Sequence, residues 1–124
     1  MSDRKEVRLV SVPDHVYLRC LAQVRVRPGM YLGDERVKTL AMFLCGYERA
    51  LCDLGGSGMG AIVLTEFREW LSKELNESRS LGWSELIELE DASARNIYTF
   101  FRRFEQFLET RGENLDTWTP SWAK

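Results

Sequence analysis

Histidine is almost absent from this chain. His15 stands alone, and only three cysteines, Cys20, Cys45 and Cys52, accompany it. A zinc site draws about four Cys or His ligands from motif-like spacings; no CxxC pair is present, and no metal is expected. A Cys–His nucleophile would have to join His15 to Cys20, but neither a third orienting group nor an oxyanion loop is evident around them. No catalytic residue and no cofactor are expected. Cys45 and Cys52, seven residues apart, would share a helix face about 10 Å apart along its axis. That is too far to bridge, so the thiols are expected to be reduced.

Long apolar runs are also missing. The longest uncharged stretch, which begins at Leu54 and ends before Glu66, is broken by four glycines, whereas a membrane span needs about 20 mostly apolar residues. The first twenty residues carry charges but no apolar segment of signal-peptide length. No export signal is expected, and the expected compartment is the cytoplasm. Nor is there an excess of positive charge. The net charge is −2, far from the basicity of a dedicated nucleic-acid binder. The imbalance is internal: residues 1–38 hold eight Lys/Arg against five Asp/Glu, and residues 39–124 hold nine against fourteen. An acidic second half is suited to attracting a basic partner, and equally to keeping a solvated surface soluble.

What is abundant is large apolar side chains at helical spacing. With 44% hydrophobic and 29% charged residues in 124, the chain has the composition of one globular domain. Residues 1–12 read as an arm or a short edge strand. Pro13 can begin a helix in which Tyr17, Cys20, Leu21 and Val24 follow 3–4 spacing to about Val26, where Pro28-Gly29 stops it. Asp34 is a candidate N-cap for the strongest periodic segment, Val37, Leu40, Phe43, Leu44, Tyr47, Leu51 and Leu54. After the glycine-rich segment 55–60 a third helix spans 61–75, with Val63, Leu64, Phe67, Trp70, Leu71 and Leu75 inward. Ser84 can cap a short helix to Leu89. Asp91 or Ser93 can cap a last one, which carries Ile97, Phe100, Phe101, Phe104, Phe107 and Leu108 and ends with Gly112 at C′. The tail 113–124 holds Trp118 and Trp122 and is expected to fold back on the body. The expected fold is all-α: one domain, an irregular bundle of about five helices.

Two groups of residues stand out as candidate sites. Glu85, Glu88, Glu90 and Asp91 form the densest acidic group. Glu85 and Glu88 share a helix face by i, i+3 spacing, so the group is either a solvated face or a partner surface. Trp83 and Trp118 would be binding anchors if exposed, since Trp is enriched among interface hot spots. The second group is the turn Arg27-Pro28-Gly29-Met30-Tyr31-Leu32-Gly33. There Pro28 fixes φ, Gly29 is expected to supply a positive φ, Met30 and Tyr31 to pack inward, and Gly33 to turn the chain into the next helix.

This RPGMYLG run resembles the loop ahead of the nucleotide-binding helix in the ATPase domain of DNA gyrase and its relatives. The likeness covers roughly thirty residues. In that family the helix carries an acidic base and a magnesium-binding Asn one turn apart; here the comparable stretch has Glu48 and no Asn, so the likeness implies a shared loop rather than shared catalysis. A broader resemblance joins RPGMYLG, FLCGYERAL (Phe43–Leu51), EFREWL (Glu66–Leu71) and LGWSEL (Leu81–Leu86). This ordered set, within about Val24–Leu108, resembles small bacterial proteins with RPGMY-type loops, similar in size and type to the immunity partners of secreted toxins. The resemblance implies a non-enzymatic, cytoplasmic domain that binds a protein, with a basic toxin domain as the partner and no nucleic acid or membrane. A nucleotide-binding module built on RPGMYLG and the glycine-rich segment is one alternative, and a helical adaptor is the other.

Overall fold

The structure is a computed structural model, and it describes residues 14–55 and 62–123. The arm 1–12 and the glycine-rich run from Gly56 lie outside those residues. Six helices follow one another: α1 (Asp14–Val26), α2 (Pro28–Leu32), α3 (Val37–Asp53), α4 (Ile62–Glu74), α5 (Trp83–Glu90) and α6 (Ile97–Glu109). No strand occurs among the described residues. The all-α expectation therefore stands, and the helix beyond the expected five is α2, which lies in the RPGMYLG turn.

Local chemistry accounts for most boundaries. Pro28 pushes the preceding Arg27 out of the helical region, to φ −141° and ψ 69°, which ends α1. Pro28 then occupies the first turn of α2, where its missing N–H costs nothing. This one-turn helix closes on Gly33, whose φ is +82° and whose N–H donates to the Gly29 carbonyl at 2.8 Å. The positive φ expected at Gly29 is therefore found at Gly33, because Gly29 is inside the helical turn rather than at its end. Met30 is corrected as well: it is 60% exposed, while Tyr31 is half-buried against the core.

The start of α3 departs further from expectation. Asp34 does not cap it. Its carboxylate accepts from the Arg36 N–H and the Thr39 hydroxyl, stabilising the approach, and the N-cap position falls to Arg36. The first helical N–H, that of Val37, is satisfied from across the fold by the buried Asn96 side chain at 2.7 Å. At the other end Leu54 lies just past the helix and is 84% exposed, outside the apolar face assigned to it. Gly82, not Ser84, is the N-cap of α5, and its N–H donates to the Glu85 carboxylate. The last helix begins at Ile97, after a turn in which Asp91 accepts from the Ser93 N–H and the Thr99 hydroxyl. It ends as expected: Gly112 has φ +72°, and the Glu113 N–H reaches back to the Leu108 carbonyl.

The core is centred on α6, whose Ile97, Phe100, Phe101, Phe104, Phe107 and Leu108 are all buried. Phe67 of α4 sits among three of these rings, with centroid separations of 5.6 Å to Phe100, 5.1 Å to Phe104 and 5.6 Å to Phe107. Full burial of one such side chain contributes about 1.5–3 kcal/mol, so this cluster is the main glue between α4 and α6. Leu115 is fully buried, Arg25 of α1 bridges Glu105 and Asp116, and the short 3₁₀ turn Asp116–Trp118 packs on α1.

Candidate functional site

The acidic group divides in two. Leu86 and Ile87 face the core, which turns Glu85, Glu88 and Leu89 outward. Glu88 and Glu85 are exposed and have no cationic partner among the described residues, although Glu85 keeps its bond to the Gly82 N–H. Leu89 is 53% exposed beside them. Glu90, on the other side of the helix, is half-buried and accepts from Arg103 Nε and Nη2 and from Arg102 Nη2. The Arg103 hydrogen bonds hold its carboxyl below the usual range, against the opposing effect of burial and with help from Arg102. Asp91 is lowered too, first by the Thr99 hydroxyl and then by the Ser93 backbone. Glu90 and Asp91 thus fasten α5, the following turn and α6 to one another.

Neither tryptophan named as an anchor is freely exposed. Trp83 is half-buried against Phe100, with ring centroids 5.1 Å apart. Trp118 is half-buried and stacks on His15 at 5.7 Å. The exposed tryptophan is Trp122, 56% accessible, with the Arg27 guanidinium 5.3 Å from its ring centre.

Trp83 forms part of a half-open groove of about 290 Å³. Positions 41, 44, 45 and 48 of α3 fall on one helix face by i, i+3, i+4, i+7 spacing; they contribute Ala41, Leu44, Cys45 and Glu48 to one wall. Leu64, Thr65 and Arg68 of α4 also line it, with Tyr17 of α1 and with Gly82 and Trp83 at the start of α5. Most of the lining is apolar, yet it holds one carboxylate and one guanidinium. Arg68 Nε donates to the Leu81 carbonyl at 2.7 Å, which fixes the guanidinium. Its two Nη groups have no acceptor among the described residues, and Glu48 has neither a hydrogen bond nor an ion pair there. The two charges do not pair with each other. This meeting of Glu48 with Arg68 was not foreseen from sequence. The available signal was a lone charge on an otherwise apolar helix face.

The RPGMYLG turn borders a different cavity, of about 210 Å³, where Tyr31 meets Cys20, Phe43 and Tyr47. Burial pushes the Cys20 thiol up to about 11, which leaves it a poor nucleophile. Cys20, Cys45 and Cys52 are all free thiols. Glu48, the residue comparable to the family base, lines the first groove and not this cavity. Among the described residues no cluster of His, Cys, Asp or Glu gathers as a metal site, and no helix is long and apolar enough to cross a membrane. Comparison of the chain with protein-family models, with curated proteins and with solved structures returns no match.

Proposed function

We propose that this chain is a non-enzymatic protein-binding domain that neutralises a basic bacterial toxin by forming a stoichiometric complex with it in the cytoplasm. The observation that carries this reading is the outer face of α5, where Glu85 and Glu88 are exposed, without cationic partners among the described residues, beside the exposed Leu89. Glu90 and Glu74 are taken up by Arg103, whereas these two meet no cation among the described residues. Two carboxylates with an apolar neighbour suit a cationic protein surface. The carboxylates would accelerate encounter and Leu89 would add buried contact. The resemblance of the ordered RPGMYLG, FLCGYERAL, EFREWL and LGWSEL segments to small immunity-type proteins supports the same class.

The test is capture of the partner from the native cell, followed by association kinetics with Glu85→Gln/Glu88→Lys. Gln at position 85 can still accept from the Gly82 N–H, so the start of α5 is preserved. The double variant should melt like the wild type and associate about tenfold more slowly at low salt, with the difference shrinking as salt rises. Phe104→Ala, a core truncation expected to cost about 3–5 kcal/mol, should affect binding only through loss of folded protein. A wild-type association rate for the double variant at low salt refutes the acidic-face reading.

A further inference from the structure

We infer that the α3/α4/α5 groove is a binding site for a free α-amino acid with an apolar side chain. This inference stands apart from the proposed partner face, since it rests on inward-facing residues of α3 and α4 rather than on Glu85 and Glu88. Its volume of about 290 Å³ lies just below the roughly 300–1,000 Å³ of sites for drug-sized ligands, a size for one small metabolite rather than a nucleotide or peptide. Leu44, Leu64 and Trp83 offer an apolar bed. The two charged groups set the chemistry. A half-buried arginine and a half-buried glutamate line the same cavity, and among the described residues neither has a counter-ion.

Two charges lining one small, mostly apolar cavity without partners cost free energy. A zwitterion placed between them satisfies both. Arg68 is preset for a carboxylate: the Leu81 carbonyl occupies Nε and fixes the plane, leaving the two Nη groups available. Glu48, on α3 in the same lining, then accepts from the ligand ammonium. A ligand with only one charge would leave the other protein charge unsatisfied, and an uncharged one would leave both. The side chain of the amino acid fills the space against Trp83 and Leu64.

The experiment is calorimetric titration of the full chain with L-phenylalanine, 3-phenylpropionate (no ammonium) and phenethylamine (no carboxylate), against wild type, Glu48→Gln and Arg68→Gln. L-phenylalanine should bind wild type with a micromolar-to-millimolar Kd, about tenfold or more tighter than either single-charge analogue. Glu48→Gln should weaken L-phenylalanine and phenethylamine but leave 3-phenylpropionate unchanged. Arg68→Gln should weaken L-phenylalanine and 3-phenylpropionate but leave phenethylamine unchanged. Equal binding of all three ligands to wild type overturns the inference, as does absence of saturable binding of L-phenylalanine at millimolar concentration. A variant that weakens all three ligands alike also overturns the assigned roles, and its melting curve shows whether the cause is the fold. The α5 partner face is untouched by any of these outcomes.

Discussion

Asn96 is the most consequential polar side chain in the core, and its removal can be worked through in numbers. It is 3% exposed, the only polar residue buried to that degree among the described residues. Its carbonyl oxygen accepts from the Val37 N–H at 2.7 Å, and its amide donates to the Asp91 carbonyl at 3.0 Å. It therefore caps α3 from 59 residues away and ties the turn before α6 to it. A parallel bond, from the Ile97 N–H to the Glu35 carbonyl at 3.0 Å, completes the joint. Asn96→Ala removes two bonds, stranding the buried Val37 N–H and leaving the part-buried Asp91 carbonyl without its donor. A stranded buried group costs about 1–3 kcal/mol and a lost ordinary bond about 1 kcal/mol, which together place the loss at about 2–4 kcal/mol. For a domain of this size that is a fall in Tm of about 8–16 °C. Urea denaturation at neutral pH measures it, with the slope m as a check that the unfolded state is unchanged. Asn96→Asp should be at least as damaging at neutral pH, because its carboxylate can still accept from Val37 but opposes the Asp91 carbonyl. A loss below about 1 kcal/mol for Asn96→Ala would mean that water takes over both bonds, and that the joint is not what positions α3 against α6.

Two further outcomes follow from particular backbone and charge environments. Gly33→Ala should cost about 1–2 kcal/mol, because φ is +82° there although a Cβ would meet no atom within 4 Å. Gly29→Ala, with equally open space but an ordinary helical backbone, should gain about 0.4–1 kcal/mol; thermal melts showing the reverse order would place the strained residue elsewhere. Glu90 is held below its ordinary value of 4.5 by Arg103 and Arg102, so its folded form binds a proton less readily than its unfolded form. Its stabilisation is complete above pH 4.5 and is lost as pH falls through the lower folded value. Glu90→Gln should cost about 1–3 kcal/mol at neutral pH and flatten the acid limb of the stability curve, which denaturant titrations on either side of that pH would show.

The elements that could be read from the sequence were those whose period and caps agree locally. Helix α6 repeats large apolar residues at 97, 100, 101, 104, 107 and 108 and stops at a glycine, so both its inward face and its end were visible. Helix α1 ended where Pro28 required it. The misplaced features share one physical cause: their partner is distant in sequence. Asp34 has the composition of an N-cap, but the bond that matters to Val37 comes from Asn96, and no local rule reports an acceptor 59 residues away. Gly29 and Gly33 lie four residues apart in the same turn. Which of them takes the positive φ depends on whether Pro28 starts a helical turn or a β-turn, and both are compatible with a proline at that position. The groove was hidden for the same reason, since Glu48 and Arg68 are each unremarkable within their own helices.

The acidic run 85–91 shows how a uniform signal in sequence becomes two different structural roles. On a helix of eight residues the side chains at 86 and 87 bury against α3, α4 and α6, and this choice alone fixes where the others point. Glu90 is carried toward α6, which supplies Arg102 and Arg103 on the facing side, and Asp91 falls past the helix end, where Thr99 and Ser93 take it up. Glu85 and Glu88 are carried the other way, toward no cation among the described residues. Charge density along the chain could not separate them, because the separation is made by the rotation of α5 on the core. The same rotation predicts different fates for substitution: neutralising Glu90 acts on folding, while altering Glu88 leaves folding alone and acts on whatever approaches the outer face. That division of effects makes the partner-binding reading testable independently of stability.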